Sequence, residues 1–240
     1  SDALDKLRFA QLTDESLRAP GEPSIRIETD KNEGTMTIWD NGIGMSKDEV
    51  VENLGTIARS GTKAILQELN EEEQKERPDL IGQFGVGFYS SFMVADQVVV
   101  VTRKAGEEEA TRWSSNGDGS YELESAERAS PGTSITLHLK KPDEEKSIED
   151  FLDEQVIRRI VKRYSDFVSY PISMKVWTED EGGSQGLEEK VLNSQKAIWA
   201  RPKDEVTDDE YREFYRHVAR DWQEPLERIH IKMEGTFEAQ

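Results

Sequence analysis

The segment from residue 35 to residue 45 reads TMTIWDNGIGM and contains the pattern that decides the fold. Its first five residues alternate between polar and apolar side chains, as do residues 24–28, and the turn-forming residues 30–34 lie between the two runs. Two alternating runs joined by a short turn predict a β-hairpin. Asp40 follows the second run and directly precedes a loop that contains Gly42 and Gly44.

Outward from this hairpin, the sequence predicts a mixture of helices and strands. Ser46 and Glu49 form a capping box that starts a helix, and Thr207 and Glu210 form a second one before a helix over 211–219. Strands are predicted over 97–103, which contains four consecutive valines, over 133–139, and over 172–177 as the last strand. Helical spacing predicts further helices over 1–9, 64–69 and the second part of 81–93.

A long amphipathic helix is predicted over 147–168. The residues that share its apolar stripe are Phe151, Leu152, Val156, Ile160, Tyr164 and Phe167. Hairpins combined with crossover connections favour an α+β sandwich over a doubly wound parallel sheet. The acidic, glycine-rich residues 178–186 are predicted to be a linker, and we expect the charged residues 70–79 to be mobile or on the surface.

Composition excludes several classes of function. The chain contains no cysteine, which excludes disulfides, thiolate nucleophiles and Cys-based zinc sites, and its three histidines are scattered without metal-ligand spacing. A net charge of −19 disfavours nucleic acid as a partner, because affinity for phosphate backbones comes from Lys and Arg. No run of about 18 apolar residues is present. We expect a cytoplasmic protein without a membrane partner.

Two glycine clusters, at residues 42–44 and 82–87, indicate a ligand that carries phosphate, because glycine lets backbone N–H groups approach an anion closely. Each cluster alone is better explained as a tight turn. Neither matches a P-loop or a dinucleotide fingerprint. The Asp40 carboxylate either accepts a hydrogen bond from an adenine amino group or closes an Asx-turn over the glycine loop, and these residues alone leave both interpretations open.

Three motifs together closely resemble the heat-shock protein 90 family of chaperones, and in particular its bacterial branch. They read DNGIGM at 40–45, LGTIARSGTK at 54–63 and IGQFGVGFYS at 81–90. Residues 1–8 resemble the end of the family's first nucleotide-site helix, residues 162–171 resemble the end of its ATP-binding domain, and residues 197–199 and 210–215 resemble the start of its middle domain. The resemblance implies a nucleotide-binding domain over 1–177, an acidic linker over 178–190 and the beginning of the middle domain over 191–240.

The resemblance also implies a fold and a site. The fold is a mixed, mostly antiparallel sheet with helices on one face, which DNA gyrase, MutL and histidine kinases share. Asp40 would accept from the adenine amino group, and Thr133 would join that hydrogen-bond network. Lys6 and Arg59 would approach the phosphates as cations. The other residues that the resemblance assigns to nucleotide binding are Asp2, Gly44, Met45, Asn53, Phe88 and the backbone of Gly82, Gln83, Phe84, Gly85, Val86 and Gly87. Residues 53–91 would include a lid. Alternatively, Met45 and Phe88 fit core positions, and Lys6 fits an exposed position on a helix.

By the same resemblance, the general-base Glu and the Asn that binds Mg²⁺ would precede Ser1. We therefore expect no catalytic residue within these 240 residues, and binding of ATP or ADP with little hydrolysis. The parent protein would be an ATP-driven chaperone that acts on unfolded or metastable client proteins as a homodimer, whereas this polypeptide would be a monomer. The rival interpretations are a DNA-acting ATPase of the same fold, which the charge disfavours, and a non-enzymatic nucleotide-binding or interaction module.

Overall fold

A computed structural model describes residues 1–17, 21–55, 87–145, 148–179, 185–195, 197–198, 203–219, 223–227 and 229. The helices are α1 Asp2–Thr13, α2 Lys47–Leu54, α3 Ser91–Val94, α4 Glu154–Tyr164 and α5 Asp208–Ala219. The strands are β1 Ile25–Asp30, β2 Thr35–Asp40, β3 Ala95–Arg103, β4 Ala110–Ser115, β5 Glu122–Ala126, β6 Gly132–Leu139, β7 Ile172–Glu179 and β8 Gln185–Val191. The predictions for residues 58–63, 64–69 and 70–79 lie outside the described residues.

The described strands form one open sheet in the order β5-β4-β3-β6-β2-β1-β7-β8. The pair β1–β7 is parallel and every other neighbouring pair of described strands is antiparallel. This arrangement confirms the predicted α+β fold with a mixed, mostly antiparallel sheet. The predicted hairpin is also confirmed, with Ile25 opposite Asp40 and Asp30 opposite Thr35.

Two apolar clusters cover one face of the sheet. In the first, Ile157 and Val161 of α4 pack on β1 and β7. In the second, Val50 and Leu54 of α2 pack on β3, β4 and β6. Met36 of β2 contacts both clusters, so α2 and α4 lie on the same face. Burial of large apolar side chains, at about 1.5–3 kcal/mol each, is what holds the helices to the sheet.

The predicted helix over 147–168 is wrong in length and in its buried stripe. The helix begins only at Glu154, because the Asp153 side chain accepts from the N–H of Gln155 at 2.7 Å and forms an N-cap. Just before it, Asp150 accepts from the N–H of Leu152 at 3.0 Å in a turn that competes with helix formation. Tyr164, predicted to be in the stripe, is 69% exposed.

The prediction that residues 172–177 form the last strand is also wrong. β7 continues to Glu179, and β8 pairs with it antiparallel from Gln185 onward. Residues 185–191, most of which lie in the predicted acidic linker, therefore belong to the sheet. The residues of this strand do not alternate between polar and apolar side chains. An edge strand is held chiefly by backbone pairing, and its Leu187 and Val191 are both exposed. The division of the chain into domains stays a prediction.

Asn193 joins the segment after β8 to the connection between α4 and β7. Its side-chain oxygen accepts from the N–H of Ile172 at 2.8 Å. Its amide group donates to the carbonyls of Val168 and Tyr170 at 2.9 and 3.0 Å. The residue is buried, so these three backbone groups depend on one side chain for their hydrogen bonds.

We predict that Asn193→Ala lowers the free energy of unfolding by about 3 kcal/mol, because buried backbone groups lose their partners. Urea denaturation of the purified chain measures this change. Asn32→Ala, in the exposed turn between β1 and β2, is the matched control and is expected to change it by less than about 0.5 kcal/mol. Equal stability of the two variants would contradict the prediction.

Candidate nucleotide site

Asp40 lies at the last position of β2, opposite Thr133 of β6. Its Oδ1 accepts from the N–H of Gly42 at 2.9 Å, so the structure contains the Asx-turn that the sequence left as one alternative. An ionised carboxylate has about four acceptor positions, so this turn is compatible with a further bond to a ligand amino group. Burial raises the pKa of the Asp40 carboxyl, while the Gly42 hydrogen bond and the positive charge of Arg128 act in the opposite direction.

The glycine loop after Asp40 is held between α1 and the end of β3. The N–H of Ile43 donates to the carbonyl of Ala3 at 2.9 Å, and the carbonyl of Ile43 accepts from Ala105 at 2.8 Å. Gly44 has a φ of +67°, and a side chain there would collide with the carbonyl of Arg103. Glycine is therefore required by backbone packing at this position, whether or not a phosphate binds.

Thr102 contacts the predicted site residues Met45 and Thr133, and the sequence reasoning missed it. It is fully buried, and its hydroxyl accepts from the N–H of Met45 at 2.9 Å. The same hydroxyl lies 3.0 Å from Oγ1 of Thr133 and 3.2 Å from the carbonyl of Gly132. The available signal was a polar residue on the face that Val98 and Val100 place in the core, since a buried hydroxyl needs partners.

Asp2 and Lys6 lie four residues apart on α1 and therefore share a face. Burial lowers the pKa of the Lys6 ammonium group, and the negative charges of Asp2 and Glu49 act in the opposite direction. Glu49 of α2 also pairs with Lys104 at 2.7 Å. Asn53 is four residues after Glu49 and lies on the same side of α2.

Apolar burial and a hydrogen bond hold α1 against the rest of the fold. Leu4 and Leu7 are buried. Asp5 accepts a hydrogen bond of 2.7 Å from the hydroxyl of Tyr170, just before β7. Burial and this bond raise the pKa of Tyr170 to about 12, so the hydroxyl remains a donor at neutral pH.

Met45 and Phe88 both pack against the second apolar cluster, as their core alternative predicts. The Phe88 ring meets Trp113 edge-on at 5.4 Å between centroids and Tyr89 at 5.6 Å. Gly87 begins the short 3₁₀ turn that carries Phe88 and lies in open space. The Tyr89 hydroxyl donates to the carbonyl of Leu54 at 2.9 Å, which joins this turn to the end of α2.

Hydrogen bonds join Met45 and Thr133 of the predicted set to Thr102. Asp40 lies opposite Thr133 in the sheet, and Gly44 directly precedes Met45. Asp2, Lys6 and Asn53 lie on α1 and α2, and α1 contacts the loop directly. The remaining predicted positions lie outside the described residues, as does most of the predicted lid. These positions are Arg59, Gly82, Gln83, Phe84, Gly85 and Val86. These residues stay predictions.

Within the described ranges, no three or more His, Cys, Asp or Glu side chains are grouped so that they could hold a metal ion. No helix in the described part of the chain has the length and apolar character needed to cross a membrane. The arrangement is suited chemically to a polar organic ligand, with a carboxylate acceptor at one end and a lysine ammonium on the neighbouring helix.

Two protein-family models match the chain. One, described as "Histidine kinase-, DNA gyrase B-, and HSP90-like ATPase", matches residues 9–147, and one described as "Hsp90 protein" matches residues 178–240. The first covers more than half of the chain and includes the described strands β1 to β6, with Asp40, the glycine loop, Thr102 and Thr133.

Curated relatives named "Chaperone protein HtpG" are similar over essentially the whole chain. The relative from Mycobacterium avium is 51% identical over 100% of this chain, and that from Streptomyces coelicolor is 52% identical over 100%. The relative from Salinispora tropica is 53% identical over 99% of the chain. The chain spans 38–39% of the length of these relatives. Whole-chain similarity at this level, together with the family matches, shows that the chain belongs to the Hsp90 family of chaperones, with HtpG proteins as its relatives.

Proposed function

We propose that this chain binds ATP and ADP at the Asp40 site and serves the ATP-driven cycle of a chaperone. The observation that carries the proposal is a carboxylate at the end of β2, held by the Gly42 N–H beside the paired hydroxyls of Thr102 and Thr133. An adenine amino group is a donor that matches such an acceptor. Membership of the Hsp90 family supports the nucleotide as the ligand.

Adenine specificity follows from how Asp40 is held. A buried carboxylate is costly unless it accepts hydrogen bonds, and the N–H of Gly42 supplies one of them. An amino group of a ligand supplies another, whereas a carbonyl at the same place would leave two acceptors facing each other. The site is therefore expected to favour adenine over a base that presents an oxygen there.

The phosphates would extend from the base toward α1, α2 and the second glycine cluster. We propose that Lys6 of α1 supplies a positive charge there, with Asp2 of α1 and Asn53 of α2 as polar contacts. We propose that Arg59 contributes a cation. The backbone of the second glycine cluster would contribute a set of N–H donors. The residues concerned are Gly82, Gln83, Phe84, Gly85, Val86 and Gly87. Met45 and Phe88 would bound the base and sugar by apolar contact, on the surface of the second cluster.

Mg²⁺ accompanies ATP in such sites and is held largely by the phosphate oxygens and water. The described residues present no metal-binding cluster of their own. The general base and the Mg²⁺-binding Asn that the family resemblance implies are proposed for the parent protein, in the segment before Ser1. Client proteins and homodimer formation are proposed for the parent protein.

Binding of Mg·ADP to the chain, followed by calorimetry, tests the proposed site. We predict that Asp40→Asn weakens binding by roughly 10- to 100-fold, because a hydrogen bond to a charged acceptor contributes about 1.5–3 kcal/mol. The Asn side chain retains an oxygen for the Gly42 N–H, but its amide group donates and opposes the adenine amino group.

Asp30→Asn is the matched control for Asp40→Asn. Asp30 also accepts backbone N–H groups in a turn, from Asn32 at 2.8 Å and Glu33 at 3.1 Å, but it lies at the opposite end of the hairpin. We expect this variant to bind with unchanged affinity. Equal affinity of parent, D30N and D40N would show that Asp40 is only a turn residue.

We predict that the 240-residue polypeptide hydrolyses ATP about 10²–10⁴-fold more slowly than a full-length relative, which is the typical effect of lacking a general base. Steady-state phosphate release, with both proteins measured at saturating Mg·ATP, gives the ratio. A turnover rate that matches the full-length relative would contradict this expectation. The same measurement separates an ATPase from a module that only binds nucleotide.

The polypeptide is predicted to be monomeric, because the resemblance assigns the dimer contacts of the parent protein to other segments. Sedimentation velocity over a range of protein concentrations measures its mass. A single species near the chain mass of 27.4 kDa is expected. A dimer that persists on dilution would show that this part of the protein associates by itself.

A further inference from the structure

Arg128, in the loop between β5 and β6, contacts the backbone of the residue that the proposed function places against adenine. Its Nη2 donates to the carbonyl of Asp40 at 3.1 Å, and its Nε donates to the carbonyl of Ser130 at 3.1 Å. Its Nη1 donates to the Ser134 hydroxyl at 3.3 Å. Three acceptors therefore orient one guanidinium group at the end of β2.

Trp39, directly before Asp40, provides a further contact. The guanidinium carbon of Arg128 lies 5.4 Å from the centre of the Trp39 ring, within the range of a cation–π interaction. Arg26, opposite Trp39 in the β1–β2 pair, lies 5.3 Å from the same ring. Arg26 forms an ion pair with Glu28 at 3.2 Å, whereas Arg128 donates to Asp40. The chain thus contains two arginines with the same aromatic contact and different polar partners.

Charge also couples Arg128 to Asp40. Burial raises the pKa of the Asp40 carboxyl, and the Gly42 N–H and Arg128 act to lower it. In turn, burial lowers the pKa of Arg128, the charge of Asp40 raises it, and the nearby Arg103 lowers it. Each group therefore stabilises the ionised form of the other.

We propose that Arg128 is a positioning residue for nucleotide recognition, which fixes the end of β2 through the Asp40 carbonyl and places a positive charge beside the neighbouring carboxylate. The inference rests on the proposed function of Asp40 in binding adenine. Arg128 lies 88 positions from Asp40 along the chain, so a residue of a distant loop influences the position and charge state of the Asp40 carboxylate.

The pH dependence of binding distinguishes this role from simple packing. Only the ionised carboxylate accepts at both oxygens, so nucleotide affinity falls as pH decreases through the pKa of Asp40. Without the positive charge of Arg128, that pKa lies higher, and the loss of affinity begins at a higher pH. A contact that merely supported the backbone would change the affinity without moving this midpoint.

The experiment measures Mg·ADP affinity by calorimetry between about pH 5 and pH 8, where folded proteins are generally most stable. For Arg128→Gln we expect binding about tenfold weaker at neutral pH, as for loss of one bond from a charged donor, and a midpoint at higher pH than in the parent. Arg128→Lys retains the charge and is expected to retain the parent midpoint. Arg26→Gln, which removes the other arginine from Trp39, is expected to leave both quantities unchanged.

The titration of ADP is common to all four proteins, so differences between them report on Arg128. A parent-like affinity and midpoint in R128Q would overturn the proposal. Weaker binding with an unmoved midpoint would overturn it as well, because it would indicate packing alone. Circular dichroism confirms that each variant is folded.

A direct readout keeps the inference separate from the proposed function. The ¹³C carboxyl resonance of Asp40, followed by NMR against pH without nucleotide, is expected to titrate at higher pH in R128Q than in the parent or R26Q. If no protein binds ADP, the proposed function fails, while this titration still measures the coupling between Arg128 and Asp40. Identical Asp40 titrations in R128Q and in the parent would overturn the inference.

Discussion

The buried hydroxyl of Thr102 connects the three segments on which the proposed site depends. It accepts from Met45 at the end of the glycine loop, and it lies within hydrogen-bond distance of Thr133 and of the carbonyl of Gly132. Because the hydroxyl is fully buried, its bonds do not compete with water, and losing one leaves a group unsatisfied in the core. The strand pairing of β3, β6 and β2 is thereby joined to the loop that follows Asp40.

Asp40 is a partly buried acidic group whose partners come from two loops. The Gly42 N–H and the charge of Arg128 offset part of its desolvation. These partners approach from the loop after β2 and the loop before β6. The Asx-turn and the adenine interpretation, which compete in the sequence, are compatible in the structure, because one carboxylate can serve both.

Patterns confined to a few neighbouring residues were predicted well. The hairpin of β1 and β2 follows from alternation and a turn, and both capping boxes are present, at Ser46–Glu49 and Thr207–Glu210. The start of α4 was predicted too early, because Asp150 and Asp153 each bind a nearby backbone N–H instead of allowing an earlier helical turn. β8 was missed, because its exposed Leu187 and Val191 show no amphipathic pattern and its place in the sheet is set by pairing with β7.

The amino-acid sequence alone was sufficient for the α+β class, the glycine loop after Asp40 and the resemblance to the Hsp90 family, since each rests on short motifs and their order. The partners of these motifs required the folded chain. Thr102 meets Thr133 from 31 residues away, and Arg128 meets Asp40 from 88 residues away. Such contacts depend on the register between strands that are distant along the chain, and that register results from packing both apolar clusters on one sheet, which no local pattern encodes.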